Sequence, residues 1–320
     1  MNSDILVSIS CITYNHSDYI RKAIDGFLMQ KTDFRFEILI HDDCSTDGTT
    51  EIIKEYERDY PDLIFPIYEQ ENQFSKGGPI GSAVWNVPRA RGKYIALCEG
   101  DDYWVDPLKL QKQVDILEED ETLMAVVTNS KVVDKVGNEL KAKQDNVVPY
   151  NKEGRYDLRS FMYKIHHYPT ATVCYRRTHV EEIEKMSKHL ANPYLGDWTT
   201  WISLHIFGDF YYLDEVTSAY RINPTSLTHT VDRVGRSKAN WTICKAVQDI
   251  LPDEYDDIRK RLDKNSWMWV DLALAYRHEH QYIRMLRCCS VAFLKDPKGL
   301  LYEYKRRKKL RNSINSNEIQ

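Results

Sequence analysis

Short apolar runs alternate with segments of helical spacing through the first half of the chain. The apolar runs, which are typical of strands buried on both faces of a sheet, lie at residues 6–12, 36–41, 63–68 and 93–98. The segments between them repeat apolar residues every three or four positions and predict helices over 17–30, 47–60 and 106–120. This alternation predicts a mainly parallel α/β sheet with right-handed crossovers.

The pattern changes after residue 122. Two more strands are predicted at 123–129 and 131–137, joined by a short link, and a mixed region follows at 160–222. Beyond about residue 235 the spacing is helical. We therefore predict an α/β domain over 1–235, a helical region over 236–311 and a disordered tail over 312–320.

Bulk composition excludes several classes of protein. The 320 residues include 29% charged types and carry a net charge of −4, which gives no case for nucleic-acid binding. No apolar stretch reaches the ~20 residues of a membrane span, and the N-terminus lacks the pattern of a signal peptide. The seven cysteines form no CxxC pair. We expect reduced thiols in a cytoplasmic protein.

Polar clusters follow three of the predicted strands. They are Thr13-Tyr14-Asn15-His16, HDDCSTDGT at 41–49 and EGDDYW at 99–104. In open α/β sheets, ligands bind beyond the carboxyl ends of the strands, and parallel strands bring those ends to one edge. The sequence therefore predicts a single binding site built from all three clusters.

The third cluster suits a divalent cation. Neighbouring carboxylates repel one another, and Mg²⁺ or Mn²⁺ is held by one or two carboxylates together with phosphate oxygens. The second cluster matches half of a calcium loop, but Lys54 stands where that loop needs a bidentate glutamate. We expect Ser45 to Asp47 either to support the ligand site or only to cap the next helix. Neither GxGxxG after the first strand nor GxxxxGK[ST] is present, which disfavours dinucleotide oxidoreductases and P-loop enzymes.

Three stretches in this order and spacing resemble the family 2 glycosyltransferases. They are VSISCITYNHSDYIRKAIDGFLMQ, FEILIHDDCSTDGT and ARGKYIALCEGDDYW followed by a DP pair. The resemblance covers about residues 5–225. It implies the GT-A nucleotide-diphospho-sugar transferase fold, a Rossmann-like α/β fold with a mainly parallel sheet, here followed by a helical appendage.

The resemblance implies a nucleotide site on the first two clusters. Thr13, Tyr14 and Asn15 follow the first strand, where the family holds the base and the ribose. Asp42 or Asp43 matches the acid that reads the nucleobase, and we favour Asp42. UDP is the expected nucleotide, with GDP and dTDP as alternatives.

The third cluster occupies the family's DxD position. Glu99 replaces the usual first aspartate, followed by Gly100 and Asp101. The first acid of this motif faces the ribose in the family and the later one binds Mn²⁺ or Mg²⁺. Asp101 is therefore the predicted main metal ligand and Asp102 the second choice.

The resemblance also implies a general base, which in the family is a later acid often followed by an aromatic residue at a helix start. Asp197 in Gly196-Asp197-Trp198 fits, with an ordinary helix cap as the alternative. Trp198 and Trp201 either stack on a sugar ring or pack in the core.

In the family's Tyr-Arg-x-His pattern, Asn223 of this chain stands in place of the histidine, and two further assignments are hypotheses. Arg221 is a hypothetical diphosphate contact. His229 is a hypothetical metal ligand, with a loop histidine as the alternative. His166 and His167 are interpreted as pocket-lining or structural.

The resemblance implies an inverting transfer of a sugar from a nucleotide-sugar donor to a hydroxyl of a saccharide or lipid-linked saccharide. Surface polysaccharide or capsule synthesis at the inner face of the membrane is the expected setting. The alternatives are a catalytically silent nucleotide-sugar-binding protein and a nucleotidyltransferase. Residues 305–311, KRRKKLR, either contact an anionic membrane or form a solvated charge run.

Overall fold

The computed structural model describes residues 5–77, 82–141, 152–164, 168–189, 196–223, 232–264, 266–301 and 305. Contacts between residues divide the chain into two compact units. One unit contains Met1–His189 with Gly196–Ser226, and the other contains Leu190–Leu195 with Leu227–Gln320.

The first unit is built on a nine-stranded sheet. Its strands are β1 (Ile5–Thr13), β2 (Arg35–Asp42), β3 (Ile64–Tyr68), β4 (Tyr94–Leu97), β5 (Tyr103–Trp104), β6 (Leu123–Val133), β7 (Gly154–Tyr156), β8 (Val173–Arg176) and β9 (Asp209–Arg221). Its helices are α1 (Ile20–Leu28), α2 (Thr49–Asp59), α3 (Ser82–Trp85), α4 (Lys109–Glu119), α5 (Leu158–Lys164), α6 (Val180–His189) and α7 (Gly196–His205). The strand order is β3-β2-β1-β4-β8-β6-β9-β5, and β7 pairs with β9.

The N-terminal half of this sheet is parallel. β1 pairs in parallel with both β2 and β4, and β2 pairs in parallel with β3. The second half is mixed, since β8 runs antiparallel to β4 and β6 while β6 and β9 are parallel. The predicted GT-A fold is confirmed, and the four N-terminal strands lie within one or two residues of their predicted positions.

Apolar side chains explain why these elements pack as they do. The interior side chains of β1 and β2 are fully buried against the apolar faces of α1 and α4. On α1 the buried face repeats at helical spacing, with Ile20, Ile24 and Phe27 inside. On α4 it consists of Leu110, Val114 and Leu117.

Two local predictions are wrong. Residues 123–133 form one continuous strand rather than two, because nothing between Asn129 and Lys131 turns the chain and register shifts around Asn129 absorb the irregularity. Helix α4 begins at Lys109 rather than at Pro107. The Asp106 carboxylate instead accepts from the Leu108 N–H at 2.9 Å and so closes the turn before the helix.

The second unit is helical in its described part. It contains α8 (Arg233–Ile250), α9 (Asp256–Lys264), α10 (Ser266–His278) and α11 (Tyr282–Lys295). α8 starts three residues before the predicted boundary at 236, and the predicted tail at 312–320 lies outside the described residues. None of the described helices combines the length and apolarity needed to cross a bilayer. All seven cysteines are free thiols.

Candidate functional site

The loops after β1, β2 and β4 are joined by hydrogen bonds in the first unit. The Asn15 N–H donates to Ser45 Oγ at 2.9 Å, and the Thr46 N–H donates to Asn15 Oδ1 at 2.8 Å. The Gly100 N–H donates to the Ile12 carbonyl at 3.0 Å. The expectation that the three polar clusters meet at one edge of the sheet is confirmed. Asn15 links the first cluster to the second through these two hydrogen bonds.

Asp42 and Asp43 have different environments. The Asp42 carboxylate is 1% exposed and accepts from the Ser45 N–H, the Ser45 hydroxyl and the Thr50 hydroxyl. Asp43 is half-buried, and each of its oxygens accepts one backbone N–H, from Gln73 and Phe74. Asp42 therefore shapes its own loop, whereas Asp43 keeps free lone pairs.

Asp47 holds the start of α2. Its oxygens accept from the Ser17 N–H at 2.9 Å and from the N–H and hydroxyl of Thr49. Partial burial works against ionisation, but these hydrogen bonds prevail and lower the pKa of Asp47 to about 2. The N-cap residue of α2 is Gly48, so Asp47 stands one position before the cap and accepts from the Thr49 N–H from there.

Four carboxylates converge at the end of β4. Burial and then the charges of Asp197, Asp101 and Asp102 raise the pKa of Glu99 well above its ordinary value. Burial and the charge of Asp101 likewise raise the pKa of Asp102, although a hydrogen bond from Arg221 opposes this. These effects require the four groups to be close in space, and they leave excess negative charge in a partly closed site.

Arg221 of β9 holds the acidic loop by hydrogen bonds. Its backbone N–H donates to Asp102 Oδ1 at 2.7 Å, and its Nε donates to the Asp101 carbonyl at 2.7 Å. Another guanidinium nitrogen donates to the carbonyls of Asp134 and Lys135 at 3.1 and 2.8 Å. Arg221 therefore anchors the acidic loop, and its predicted diphosphate contact stays a prediction.

Unsatisfied polar atoms surround Gly100. Thr13 Oγ1 and His16 Nδ1 are buried without a hydrogen-bond partner, and an added Cβ on Gly100 would lie 2.6 and 2.9 Å from them. His16 Nε2 lies 3.9 Å from Asp101 Oδ2. Buried polar groups without partners are costly, so their presence beside the acidic loop marks a place where a ligand can supply hydrogen bonds.

The donor set fits a divalent cation that is completed by its substrate. Asp101 is the more accessible acid, because Asp102 is 3% exposed and its Oδ1 is taken by Arg221. Within the described ranges, no group of three or more histidine, cysteine or acidic side chains is already arranged as a metal cage. Mg²⁺ and Mn²⁺ sites of this kind use few carboxylates and several phosphate or water oxygens, so the residues present fit such an ion.

Asp197 lies in the first turn of α7, where a negative charge is favoured by the helix dipole. The two tryptophans that follow pack in the core. Trp198 is 9% exposed, and Trp201 is 1% exposed and meets Tyr168 edge-on. Packing in the core is therefore the alternative that the structure supports.

Other predicted residues have more varied settings. Thr13 is buried at the end of β1, and Tyr14 is 44% exposed beside it. His229, His166 and His167 lie outside the described residues, so their assignments stay predictions.

Tyr220 and His16 lie at the site, although the sequence motifs assign neither of them a role. Burial and then the charges of the acidic cluster, led by Asp102, raise the pKa of Tyr220, which places its hydroxyl near those carboxylates. The position of Tyr220 next to Arg221 in β9 was a usable signal, and His16 belongs to the first polar cluster.

The domain profile described as glycosyl transferase family 2 matches residues 8–184. Uncharacterized protein Rv1520 of Mycobacterium tuberculosis is 51% identical over 112 residues, which is 35% of this chain and 31% of that protein. The putative teichuronic acid biosynthesis glycosyltransferase TuaG of Bacillus subtilis is 37% identical over 117 residues, 36% of this chain and 42% of TuaG. The chain thus spans less than half the length of these relatives.

Solved structures show the same fold at low sequence identity. S. aureus TarS 1-349 in complex with UDP-GlcNAc superposes with a TM-score of 0.57 at 14% identity, covering 89% of this chain and 91% of that one. The mannosyltransferase PcManGT of Pyrobaculum calidifontis, in complex with GDP-Man and Mn²⁺, gives a TM-score of 0.53 at 16% identity, covering 98% and 83%.

Proposed function

Since the chain belongs to glycosyl transferase family 2, we propose that it moves a sugar from a nucleotide-diphosphate donor to a hydroxyl of a saccharide or lipid-linked saccharide. The observation that carries this proposal is the convergence of Glu99, Asp101, Asp102 and Asp197. The acids of the loop at 99–102 suit a cation that binds a diphosphate. Asp197 suits the role of accepting a proton from a hydroxyl.

The donor site lies on the loops after β1 and β2. We assign the nucleobase contact to Asp43 rather than Asp42, because Asp42 is almost fully enclosed by Ser45 and Thr50. Thr13, Tyr14 and Asn15 border the same site. UDP is the proposed nucleotide, and the UDP-GlcNAc complex of TarS supports that choice.

Asp101 is the proposed ligand of Mn²⁺ or Mg²⁺. A bound ion would neutralise charge on the diphosphate as it leaves. The Mn²⁺ complex of PcManGT supports this assignment. The role of the protein is to hold the acidic loop in place through Arg221 and to keep His16 beside Asp101.

Asp197 is the proposed general base of an inverting reaction. It takes the proton of the acceptor hydroxyl while that oxygen forms a bond to the anomeric carbon, and the bond from that carbon to the diphosphate breaks on the opposite face. Positioned bases of this kind contribute ~10²–10⁴-fold to the rate. The relation to TuaG supports a place in surface polysaccharide synthesis, at the inner membrane face with residues 305–311 near the lipid.

The proposal is tested with a panel of nucleotide sugars, Mn²⁺ and candidate acceptor saccharides, with release of nucleoside diphosphate as the readout. We expect one donor to turn over and EDTA to abolish the reaction. Asp197→Asn should retain the affinity for UDP and reduce transfer by about 100-fold or more. Binding of UDP without turnover of any donor and acceptor pair would favour the silent binding protein, and equal loss of binding and transfer in Asp197→Asn would remove Asp197 from the role of base.

A further inference from the structure

Positive charge is concentrated at the end of the chain. Residues 282–311 contain ten lysines or arginines and two acidic residues, whereas the whole chain has a net charge of −4. Helix α11 forms the first half of this segment. Such charge segregation favours contact with an anionic surface.

Helix α11 is apolar on two opposite faces. Met285, Cys288 and Ala292 lie on the inner face, where Met285 and Cys288 pack in the core of the helical unit. The outer face carries large apolar side chains that remain exposed, namely Ile283 (86%), Leu286 (60%), Phe293 (61%) and Leu294 (79%). A contiguous exposed apolar face beside basic side chains is the pattern of a helix that lies in a lipid interface.

A cationic cleft lies between the start of α8 and the end of α10. Its volume is about 580 Å³, and Arg233, Leu274, Arg277, His278 and His280 line it. Neither arginine has an acidic partner within the described part of the chain. Arg277 and His280 are exposed and lie a few residues before Ile283 in the chain. The cleft therefore offers guanidinium donors without an acidic partner among the described residues, and guanidinium groups bind phosphate well.

We infer that this helical unit binds the surface of a membrane containing anionic phospholipids, with the apolar face of α11 among the acyl chains and lipid phosphates at Arg233 and Arg277. Charge selects this occupant over a second copy of the chain, because two such basic segments facing one another would repel. The inference concerns residues remote in sequence from the acidic cluster and does not depend on transfer activity.

The test is sedimentation of the full-length chain with phosphatidylcholine vesicles that contain or lack phosphatidylglycerol. Binding should be about tenfold or more tighter with phosphatidylglycerol and should weaken with salt. Ile283→Asp with Leu294→Asp should weaken binding about tenfold. Arg233→Ala with Arg277→Ala should weaken binding to the anionic vesicles alone by about tenfold.

Matched controls use exposed side chains of the first unit. Val136 is 69% exposed and the Arg58 side chain is 74% exposed, so Val136→Asp and Arg58→Ala should leave vesicle binding unchanged. Leu286→Ser with Phe293→Ser provides a second apolar pair in case the first one disturbs folding, as judged by circular dichroism.

Three results would overturn the inference. The first is equally tight binding to both kinds of vesicle, or no binding to either kind. The second is wild-type binding by either double variant. If replacing the basic residues at 305–309 with glutamine then abolishes binding, those residues bind the membrane instead of α11. The third is light scattering that shows Ile283→Asp with Leu294→Asp breaking a dimer while vesicle binding stays intact, which would assign the face to self-association.

Discussion

The backbone N–H of Arg221 donates a 2.7 Å hydrogen bond to Oδ1 of Asp102, joining residues that are 119 positions apart in the chain. The same arginine donates from Nε to the carbonyl of Asp101. Adjacent acids are thereby given different tasks. Asp102 connects the acidic loop at 99–102 to β9 by this hydrogen bond, whereas the carboxylate of Asp101 lies near His16.

This division predicts unequal effects of two neighbouring substitutions. Asp101→Asn should lower Mn²⁺-dependent transfer by about 100-fold or more, because it removes the accessible carboxylate. Asp102→Asn should cost less than about tenfold, because an amide oxygen still accepts from the Arg221 N–H. Initial rates measured over a Mn²⁺ titration distinguish the two. A larger loss in Asp102→Asn than in Asp101→Asn would reverse the assignment.

A second pair of substitutions separates nucleotide binding from folding. Asp43→Asn should weaken UDP binding about tenfold or more with little change in stability, because the half-buried carboxylate has free lone pairs. Asp42→Asn should lower the free energy of unfolding by about 1–3 kcal/mol, because it disturbs buried hydrogen bonds to Ser45 and Thr50. Calorimetric titration with UDP and urea denaturation give the two values. Loss of UDP binding in Asp42→Asn alone, with normal stability, would restore Asp42 as the base-reading residue.

Gly100 is required by its surroundings. An added methyl group would lie 2.6 Å from Thr13 Oγ1 and 2.9 Å from His16 Nδ1. Gly100→Ala should therefore lower the free energy of unfolding by about 1–3 kcal/mol and weaken UDP binding at the same time. Thermal unfolding and UDP titration of one preparation check both effects, and an unchanged melting temperature with unchanged affinity would contradict the packing argument.

Lys109 is a buried lysine of α4. It is fully enclosed, with its Nζ 2.5 Å from Gln113 Oε1 and 4.5 Å from the centre of the Trp104 ring. Burial lowers the pKa of Lys109 from 10.5 to about 8, although the nearby groups of Cys174, Cys98 and Asp106 oppose this. Below pH 8 the folded chain therefore holds a desolvated charge. Between pH 8 and 10.5, Lys109 is mostly protonated in the unfolded chain and mostly neutral in the folded chain. The contribution of Lys109 to the free energy of unfolding therefore rises with pH across this range.

Lys109→Met should raise the free energy of unfolding at pH 7 by about 1 kcal/mol or more. The free energy that corresponds to the pKa shift of Lys109 is larger than the contribution of the hydrogen bond and ring contact that the substitution removes. The rise in stability between pH 8 and 10 should also disappear. Urea denaturation at pH 7 and 9.5 measures both effects. Lys93→Met, which changes a half-exposed lysine, is the control. A destabilised Lys109→Met at pH 7 would show that the contacts of Lys109 outweigh its desolvation.

The sequence predicts the parallel half of the sheet because its signals are local. Each apolar run there is followed by a polar cluster, and the runs match β1, β2, β3 and β4 within two residues. The site is predictable to the same extent, since Thr13 and Asp42 are register partners at the ends of adjacent strands. Parallel order is sufficient to bring such ends together.

The rest depends on contacts between distant parts of the chain. The roles of Arg221 and Tyr220 follow from the pairing of β9 with β6 and β5, which no local pattern reports. The difference between Asp42 and Asp43 likewise arises from Ser45, Thr50 and the backbone at Gln73, because burial is decided by tertiary packing rather than by residue type.

The burial of the cysteines has a practical consequence for chemical labelling. Burial raises the pKa of Cys11, Cys98, Cys174, Cys244 and Cys288, and these thiols are therefore protonated and shielded from electrophiles. Cys289, the next residue along α11, is exposed, and Cys44 is half-exposed. With Cys44 replaced by serine, a maleimide fluorophore would attach at Cys289, at the edge of the outer face of α11. The native sequence thus supplies its own attachment point for a polarity-sensitive dye on the helix.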